Sequence, residues 1–313
     1  MRLLFMGTPA FAVPTLKALL SSHHTVAAVF TQPDKPAGRG EKLSAPPVKQ
    51  LAVEQGVAVY QPQKLKAAEW QPVFFGLNAD AYVVVAYGKI LPQWLLDVPR
   101  LGAYNVHASL LPKYRGAAPI HWAIANGETK TGITTMKLDA GMDTGDMLLQ
   151  REISIEPEDT CGSMHNRLAE LGAELMLKTL EGLEKGTMKR IPQDPALATY
   201  APMLKKSDGL LDWTQSAVSL HNRIRAFNPW PGTYTQLQGQ TLRIWKAQTA
   251  EVSCETRPPG SLLHHSSGAA VVACGTGFLR LEEVQLENRK RTSALDFLHG
   301  IRLVRTQTLL LGR

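Results

Sequence analysis

A chain of 313 residues that is 44% hydrophobic and 19% charged has enough apolar material for folded cores, which excludes a disordered protein. Its three cysteines, Cys161, Cys254 and Cys274, form no C-x-x-C pair, which argues against a disulfide framework and for a reducing compartment. The net charge is +7; from Ala201 onward 14 Lys+Arg stand against 8 Asp+Glu, so the basic character belongs to the C-terminal third. A basic segment of this kind either keeps a protein soluble or binds a polyanion.

The first predicted element is the strand RLLFMG, followed by a turn and the helix PTLKALLSS. The apolar N-terminal run is short and is broken by Gly7, Pro9 and Pro14, so it does not read as a signal peptide. No stretch offers the roughly eighteen consecutive apolar residues of a membrane span. A soluble cytoplasmic protein is expected. TVAAVFTQ is a second strand, and PVKQLAVEQG is a helix that ends at Gly56. AYVVVAYG is apolar throughout, as expected of a central parallel strand buried on both faces. AYNVHAS, TGITTMKL and DMLLQREISI follow, and then a long helix from Cys161 to Gly186. Alternating strands and helices predict an α/β fold with a Rossmann-like, doubly wound, mostly parallel sheet.

The pattern changes near Gly186. KGTMKRIPQDPALATYAPMLKKSDG is rich in proline, lysine and small residues and reads as a linker with at most one weak strand. Beyond it, AVSLHNRIRAF is a short helix. Three β-rich stretches separated by Gly-rich turns then predict a smaller OB-like β-barrel. The expected division is residues 1–189, a linker 190–207, and 208–313. Trp230, between two prolines in FNPWPG, is expected to pack in a turn and pin the barrel to the preceding helix.

Neither G-x-G-x-x-G nor G-x-x-x-x-G-K-[ST] occurs, so an α/β sheet alone does not imply a dinucleotide here. The chemistry sits elsewhere, in YNVHASLLPKYRGAAPI, from Tyr104 to Ile120. Residues two apart in a strand share a face, so Asn105 and His107 project together and Val106 points away. Ligands of open α/β sheets bind at the carboxyl ends of strands, where this pair lies. LDAGMDTGD follows the next strand, and Gly141 and Gly145 allow a tight loop that presents an acid. Asp139, Asp143 and Asp146 are all candidates, and spacing does not choose among them.

An amide, an imidazole and a carboxylate suit acyl transfer to an amine. The amide N–H and a protonated imidazole donate to an oxyanion, while the carboxylate orients the ring. No serine or cysteine nucleophile is required, because the acceptor amine attacks directly; the G-x-S-x-G elbow is absent. No metal site is expected. His23–His24 and His264–His265 are adjacent pairs whose side chains would diverge in a strand, and no H-E-x-x-H or cysteine cluster accompanies them.

NVHASLLPKYRGAAPI, with DAGMDTGD downstream, resembles the 10-formyltetrahydrofolate-dependent formyltransferases. GTPAFAVPTLKAL, FTQPDKPAGRGEKL and RAFNPWPGTY extend the resemblance over almost the whole chain. It implies that Asn105, His107 and Asp143 are the catalytic residues. It also implies that Ser109, Leu110, Leu111 and Pro112 lie beside the folate, with Tyr87, Ile90 and Leu91 of AYGKIL lining the pterin pocket. 10-Formyltetrahydrofolate would be the formyl donor. The similarity is greatest to the branch whose acceptor is methionyl initiator tRNA; other branches formylate small amines such as amino-sugar nucleotides. In the tRNA branch the loop similar to TQPDKPAGRGEKLSAPPVK enters the acceptor stem, with Arg39 matching its key arginine. Lys35, Lys42 and Lys49 are candidate phosphate contacts, since such contacts dominate nucleic-acid affinity. Lys205, Lys206 and Arg223 are further candidates, together with Arg225, Lys246, Arg289, Lys290 and Arg291. On this reading residues 1–189 are catalytic and 208–313 bind tRNA, in a protein expected to act as a monomer away from any membrane.

Overall fold

A computed structural model describes residues 1–37, 42–251, 257–266, 268–303 and 308–312. They divide into two compact units. The first comprises Met1–Pro119, Lys130–Ile153 and His165–Ala201; the second comprises Ile120–Thr129, Ser154–Met164 and Pro202–Arg313.

The first unit is built on a seven-stranded sheet. Its strands are β1 (Arg2–Gly7), β2 (Thr25–Phe30), β3 (Val59–Tyr60), β4 (Ala81–Val85), β5 (Gly102–His107), β6 (Lys130–Lys137) and β7 (Met147–Ser154). Their order across the sheet is β7-β6-β5-β4-β1-β2-β3. The five strands from β3 to β5 pair in parallel. β6 runs antiparallel to β5, so the sheet is mostly parallel, as predicted. Every residue of β4 is buried, which is why its sequence is one unbroken apolar run.

The chain passes outward from β1 to β3 and returns to β4, so the strand order reverses between β1 and β4. A crevice outside the carboxyl ends of the strands is characteristic of such a point. Gly7 ends β1 there. A Cβ at this position would lie 2.7 Å from the Phe5 ring and 3.0 Å from the Val85 carbonyl oxygen, so only glycine fits. Thr8 donates its hydroxyl to the Tyr87 carbonyl (2.9 Å), and Gln32 donates its amide to Tyr87 and Gly88 carbonyls (3.1 and 3.0 Å). These bonds tie together the ends of β1, β2 and β4.

One face of the sheet carries an aromatic core. Phe30 stacks on Phe74 at 4.4 Å and on Tyr60 at 4.9 Å, with Leu4, Met6 and Tyr82 beside them. The long helix Cys161–Glu184 packs against the other face at Val106. A Cβ on its Gly172 would stand 2.7 Å from Val106 Cγ1. Val106 is thus spent on helix packing, and the alternation of the strand sends Asn105 and His107 to the opposite face.

The first part of the predicted linker is held by the first unit. Ile191 exchanges main-chain bonds with Met147 (2.9 and 2.8 Å), and Tyr200–Ala201 runs parallel to Arg115–Gly116.

In the second unit an antiparallel sheet has the order Thr233–Leu237, Gln240–Ala250, Phe278–Leu286, Ala270–Ala273, Ser261–His264, Thr308–Leu310. Gln236 and Gly312 exchange main-chain hydrogen bonds at 3.1 and 2.8 Å. The two edges of the sheet therefore meet, and it curls into a small barrel. Leu220 and Ile224 of the helix Ala217–Ala226 enter its core with Leu262, Val272 and Leu279. Trp230 departs from its expected place, being 49% exposed. Phe227 is fully buried instead, and Asn228 donates to the Trp245 carbonyl at 3.1 Å. Those two residues pin the helix to the barrel.

Candidate active site

Asn105 and His107 end β5 on one face, as their spacing predicts. The Asn105 amide is half-buried and makes no hydrogen bond to any described residue, so both of its donors are available. His107 is 5% exposed. Its Nε2 donates to the Tyr114 carbonyl at 2.9 Å, since a carbonyl oxygen can only accept. Its Nδ1 edge faces Asp143, with Oδ2 at 3.6 Å. The ring is therefore oriented by a main-chain carbonyl, and the Asp143 carboxylate stands across its Nδ1 edge.

Of the three candidate aspartates, Asp143 is the one that stands against His107 among the described residues. Asp139 is used inside its own loop, accepting from Gly141 N–H (3.0 Å) and the Thr144 hydroxyl (2.8 Å). Asp146 closes the base of the loop, its carbonyl accepting from Lys137 N–H at 2.9 Å. Because β6 is antiparallel to β5, that base lies beside Ala103 and Tyr104. The loop must run back along β5 to bring Asp143 to His107. Gly145 makes the fold-back possible, since a Cβ there would lie 1.9 Å from the Lys137 carbonyl oxygen.

Asp143 itself adopts a left-handed backbone, φ +55°, which costs a non-glycine residue about 1–2 kcal/mol. Arg115 and Gly116 hold it there. The Gly116 N–H donates to Asp143 Oδ2 at 2.8 Å. The buried Arg115 guanidinium grips Gln193 Oε1 with two N–H groups (3.0 and 2.8 Å). Gln193 then donates its amide to the main-chain carbonyls of Asp143 and Gly145, both at 2.8 Å. Gly116 has φ +117°, and a Cβ on it would stand 2.8 Å from the Ala201 carbonyl oxygen. The dipeptide Arg-Gly thus fixes Asp143 by its carboxylate and by its main chain. Sequence reasoning missed Gln193, Arg115 and Tyr114. The first lies in a stretch without periodicity, and the last acts through its backbone. A lone arginine between Tyr114 and Gly116 was the one available sign.

The S-L-L-P segment is a braced turn. The Ser109 hydroxyl donates to the Lys113 carbonyl at 2.6 Å. Thr134 donates to the Ser109 carbonyl (2.7 Å) and accepts from Leu111 N–H (3.1 Å), while Gln150 donates to the Leu111 carbonyl (2.8 Å). Ser109 and Leu111 are buried; Leu110 and Pro112 are half-buried. The Ser109 hydroxyl is thus used in holding its own turn. Tyr87 and Leu91 belong to the aromatic core, whereas Ile90 is 89% exposed. Of the three AYGKIL candidates, Ile90 alone is exposed, while Tyr87 and Leu91 are buried.

The basic candidates differ in kind. Arg39 and the Lys42 side chain lie outside the described residues. Lys35–Ala37 pairs antiparallel with Lys42–Ser44. Lys35 donates to Gln32 Oε1 at 2.9 Å, and Lys49 forms an ion pair with Asp34 at 2.7 Å. Lys205 and Lys206 are exposed. Arg223 is turned inward, with its guanidinium on the Asp208 carbonyl (3.1 Å) and over the Phe227 ring. Burial lowers its pKa, consistent with a structural role. Arg225 likewise donates to the Asp159 carbonyl, and Lys246 pairs with Glu282 and Glu158. Arg291 pairs with Glu283, while Arg289 and Lys290 are exposed.

Residues 1–180 match the family model described as formyl transferase, and residues 203–302 match that of the formyl transferase C-terminal domain. The chain belongs to the formyl transferase family. It is 55% identical to a methionyl-tRNA formyltransferase of Geobacter metallireducens, over 96% of each chain. It is 52% identical to one from Solibacter usitatus, over 99% of this chain and 98% of that one. Among solved structures, the sugar 3N-formyl transferase WlaRD, in the presence of dTDP and 5-N-formyl-THF, covers 93% of this chain and 99% of its own. Its TM-score is 0.68 at 17% identity. HypX from Aquifex aeolicus, in complex with tetrahydrofolic acid, gives a TM-score of 0.61 at 16% identity, over 95% of this chain and 47% of its own. At those identities the two structures show a shared fold. Among the described residues no helix is long and apolar enough to cross a membrane.

Proposed function

We propose that this enzyme transfers the formyl group of 10-formyltetrahydrofolate to the α-amino group of methionine carried by initiator tRNA. The observation that carries the acceptor is the 55% identity, over 96% of both chains, to a methionyl-tRNA formyltransferase. The site supplies chemistry that fits. The uncharged amine attacks the formyl carbon, and negative charge grows on the formyl oxygen. Asn105, with its amide uncommitted, donates to that oxygen. His107 donates from Nδ1 when that nitrogen is protonated, because its Nε2 proton is given to the Tyr114 carbonyl. A preorganised donor of this kind is worth about 2.7–4 kcal/mol of barrier. Asp143, 3.6 Å from Nδ1, positions that edge of the ring and accepts the proton that the amine sheds. The folate nitrogen takes a proton as it leaves.

On this reading Arg39 and its basic neighbours engage the acceptor stem, and the work is cytoplasmic. The test is to incubate the protein with 10-formyltetrahydrofolate and a panel of charged tRNAs and amino-sugar nucleotides. Formylmethionine on initiator tRNA is the expected product. Formylation of the sugar amine alone would overturn the acceptor and leave the family intact.

A further inference from the structure

A second cluster of chemistry-bearing side chains lies where the turn before β2 meets the end of the long helix. The sequence predicts that the side chains of His23 and His24 diverge. The two residues instead sit in the turn preceding β2, with ring centroids 4.0 Å apart and planes inclined at 47°. Glu184, the last residue of the long helix, reaches both. Its Oε2 lies 3.0 Å from His23 Nε2, and its Oε1 lies 3.5 Å from His24 Nδ1. One ligand atom from each residue falls within 4.8 Å of the other two. The amino group of Met1 is drawn to the same acceptors, 2.9 Å from Glu184 Oε1 and 3.2 Å from His24 Nδ1. A carboxylate oxygen only accepts, so His23 Nε2 here donates its proton to Glu184 Oε2, while His24 Nδ1 and Glu184 Oε1 accept from the Met1 ammonium; a metal ion would take the place of that proton and that ammonium.

The spacing suits a small transition-metal ion. Ligands about 2.0–2.1 Å from a tetrahedral zinc lie about 3.3 Å from one another. The two separations of 3.0 and 3.5 Å stand on either side of that value. Two imidazoles and one carboxylate favour zinc and its late first-row neighbours over magnesium or calcium, which prefer oxygen-only shells. The His24 side chain is only 1% exposed and is fixed by its surroundings, while those of His23 and Glu184 reach solvent and leave a path for an ion.

We propose that His23, His24 and Glu184 bind one divalent transition-metal ion of the zinc class, with water completing its coordination. The ion takes the position that the Met1 ammonium holds against Glu184 and His24. It clasps the turn before β2 to the end of the long helix and has no part in formyl transfer.

The test uses untagged, chelator-treated protein titrated with Zn²⁺ alone, followed by calorimetry and by thermal unfolding. One ion per chain is expected, with a rise in Tm that saturates at that stoichiometry. His23→Ala changes an exposed residue, so its fold, checked by circular dichroism, is kept. It and Glu184→Gln should each abolish saturable binding and the Tm rise. His264→Ala, in the second unit, should leave both unchanged. The proposal is overturned if the wild-type protein shows no saturable binding. It is equally overturned if the His23→Ala, Glu184→Gln double variant keeps the wild-type stoichiometry and affinity.

Discussion

Gln193 donates its side-chain amide to the main-chain carbonyl of Asp143 at 2.8 Å, holding an aspartate at φ +55° beside His107. Fifty residues separate the two in sequence. Because Gln193 is itself gripped by Arg115, the position of the carboxylate depends on a chain of buried polar contacts that never touches the reacting atoms. Gln193→Ala should leave the guanidinium and two carbonyls without partners, at a cost of about 1–3 kcal/mol in unfolding free energy. Gln193→Glu separates stability from catalysis. It keeps an acceptor for Arg115 but loses the donor to Asp143. Its Tm should stay closer to wild type than that of Gln193→Ala, while kcat falls and KM for the folate changes little. An unchanged kcat would show that Asp143 holds its place without Gln193.

Asp143→Asn keeps an oxygen for the Gly116 N–H but removes the charge facing Nδ1. Folding and folate binding should persist while turnover collapses. A pH–rate profile identical to wild type would exclude any part for the carboxylate in proton transfer.

Arg39→Ala should weaken use of methionyl-tRNA while leaving folate binding nearly unchanged. If one phosphate contact is lost, the slope of log K against log salt should fall by about 1. Equal loss of both substrates would mean that the loop supports the fold and not the tRNA.

Stability should fall in acid for a reason visible at Asp80. Its carboxylate accepts from Arg2 N–H (2.8 Å) and from Arg100 (2.9 Å), which hold it below the usual carboxylate range. A group with a depressed folded-state pKa contributes stability above its unfolded value, about 3.9, and loses it as the pH falls through the folded value. The Tm gap between wild type and Asp80→Asn should therefore be constant above about pH 5 and close towards pH 2. A gap that stays constant down to pH 2 would remove the ion pair from the account.

Much of the fold was legible because its signals are local. The apolar run of β4, the breaks at Gly7 and Gly56, and the two-residue spacing of Asn105 and His107 each follow from which faces are covered. What stayed hidden depends on distant contacts. Nothing in DAGMDTGD shows that β6 runs antiparallel, so nothing shows that its loop must double back to reach His107. Gln193 sits in a proline-rich stretch that reads as a tether, and only burial against Arg115 gives it a task. The hydrogen bond from Ser109 to the Lys113 carbonyl that braces the S-L-L-P turn has no sign in the sequence. Trp230 reads as packed, yet Phe227 and Asn228 do the anchoring. Adjacent histidines diverge in a strand; His23 and His24 lie in a turn, where that rule does not hold.

The central claim is that Asn105 donates to the charge that develops on the formyl oxygen. Single-turnover formylation of methionyl-tRNA by Asn105→Ala tests it most directly. The amide has no partner among the described residues, so Tm and folate affinity should stay at wild-type values. The rate should fall by about 10²–10³-fold. A rate indistinguishable from wild type, in a folded and folate-binding variant, would contradict the account.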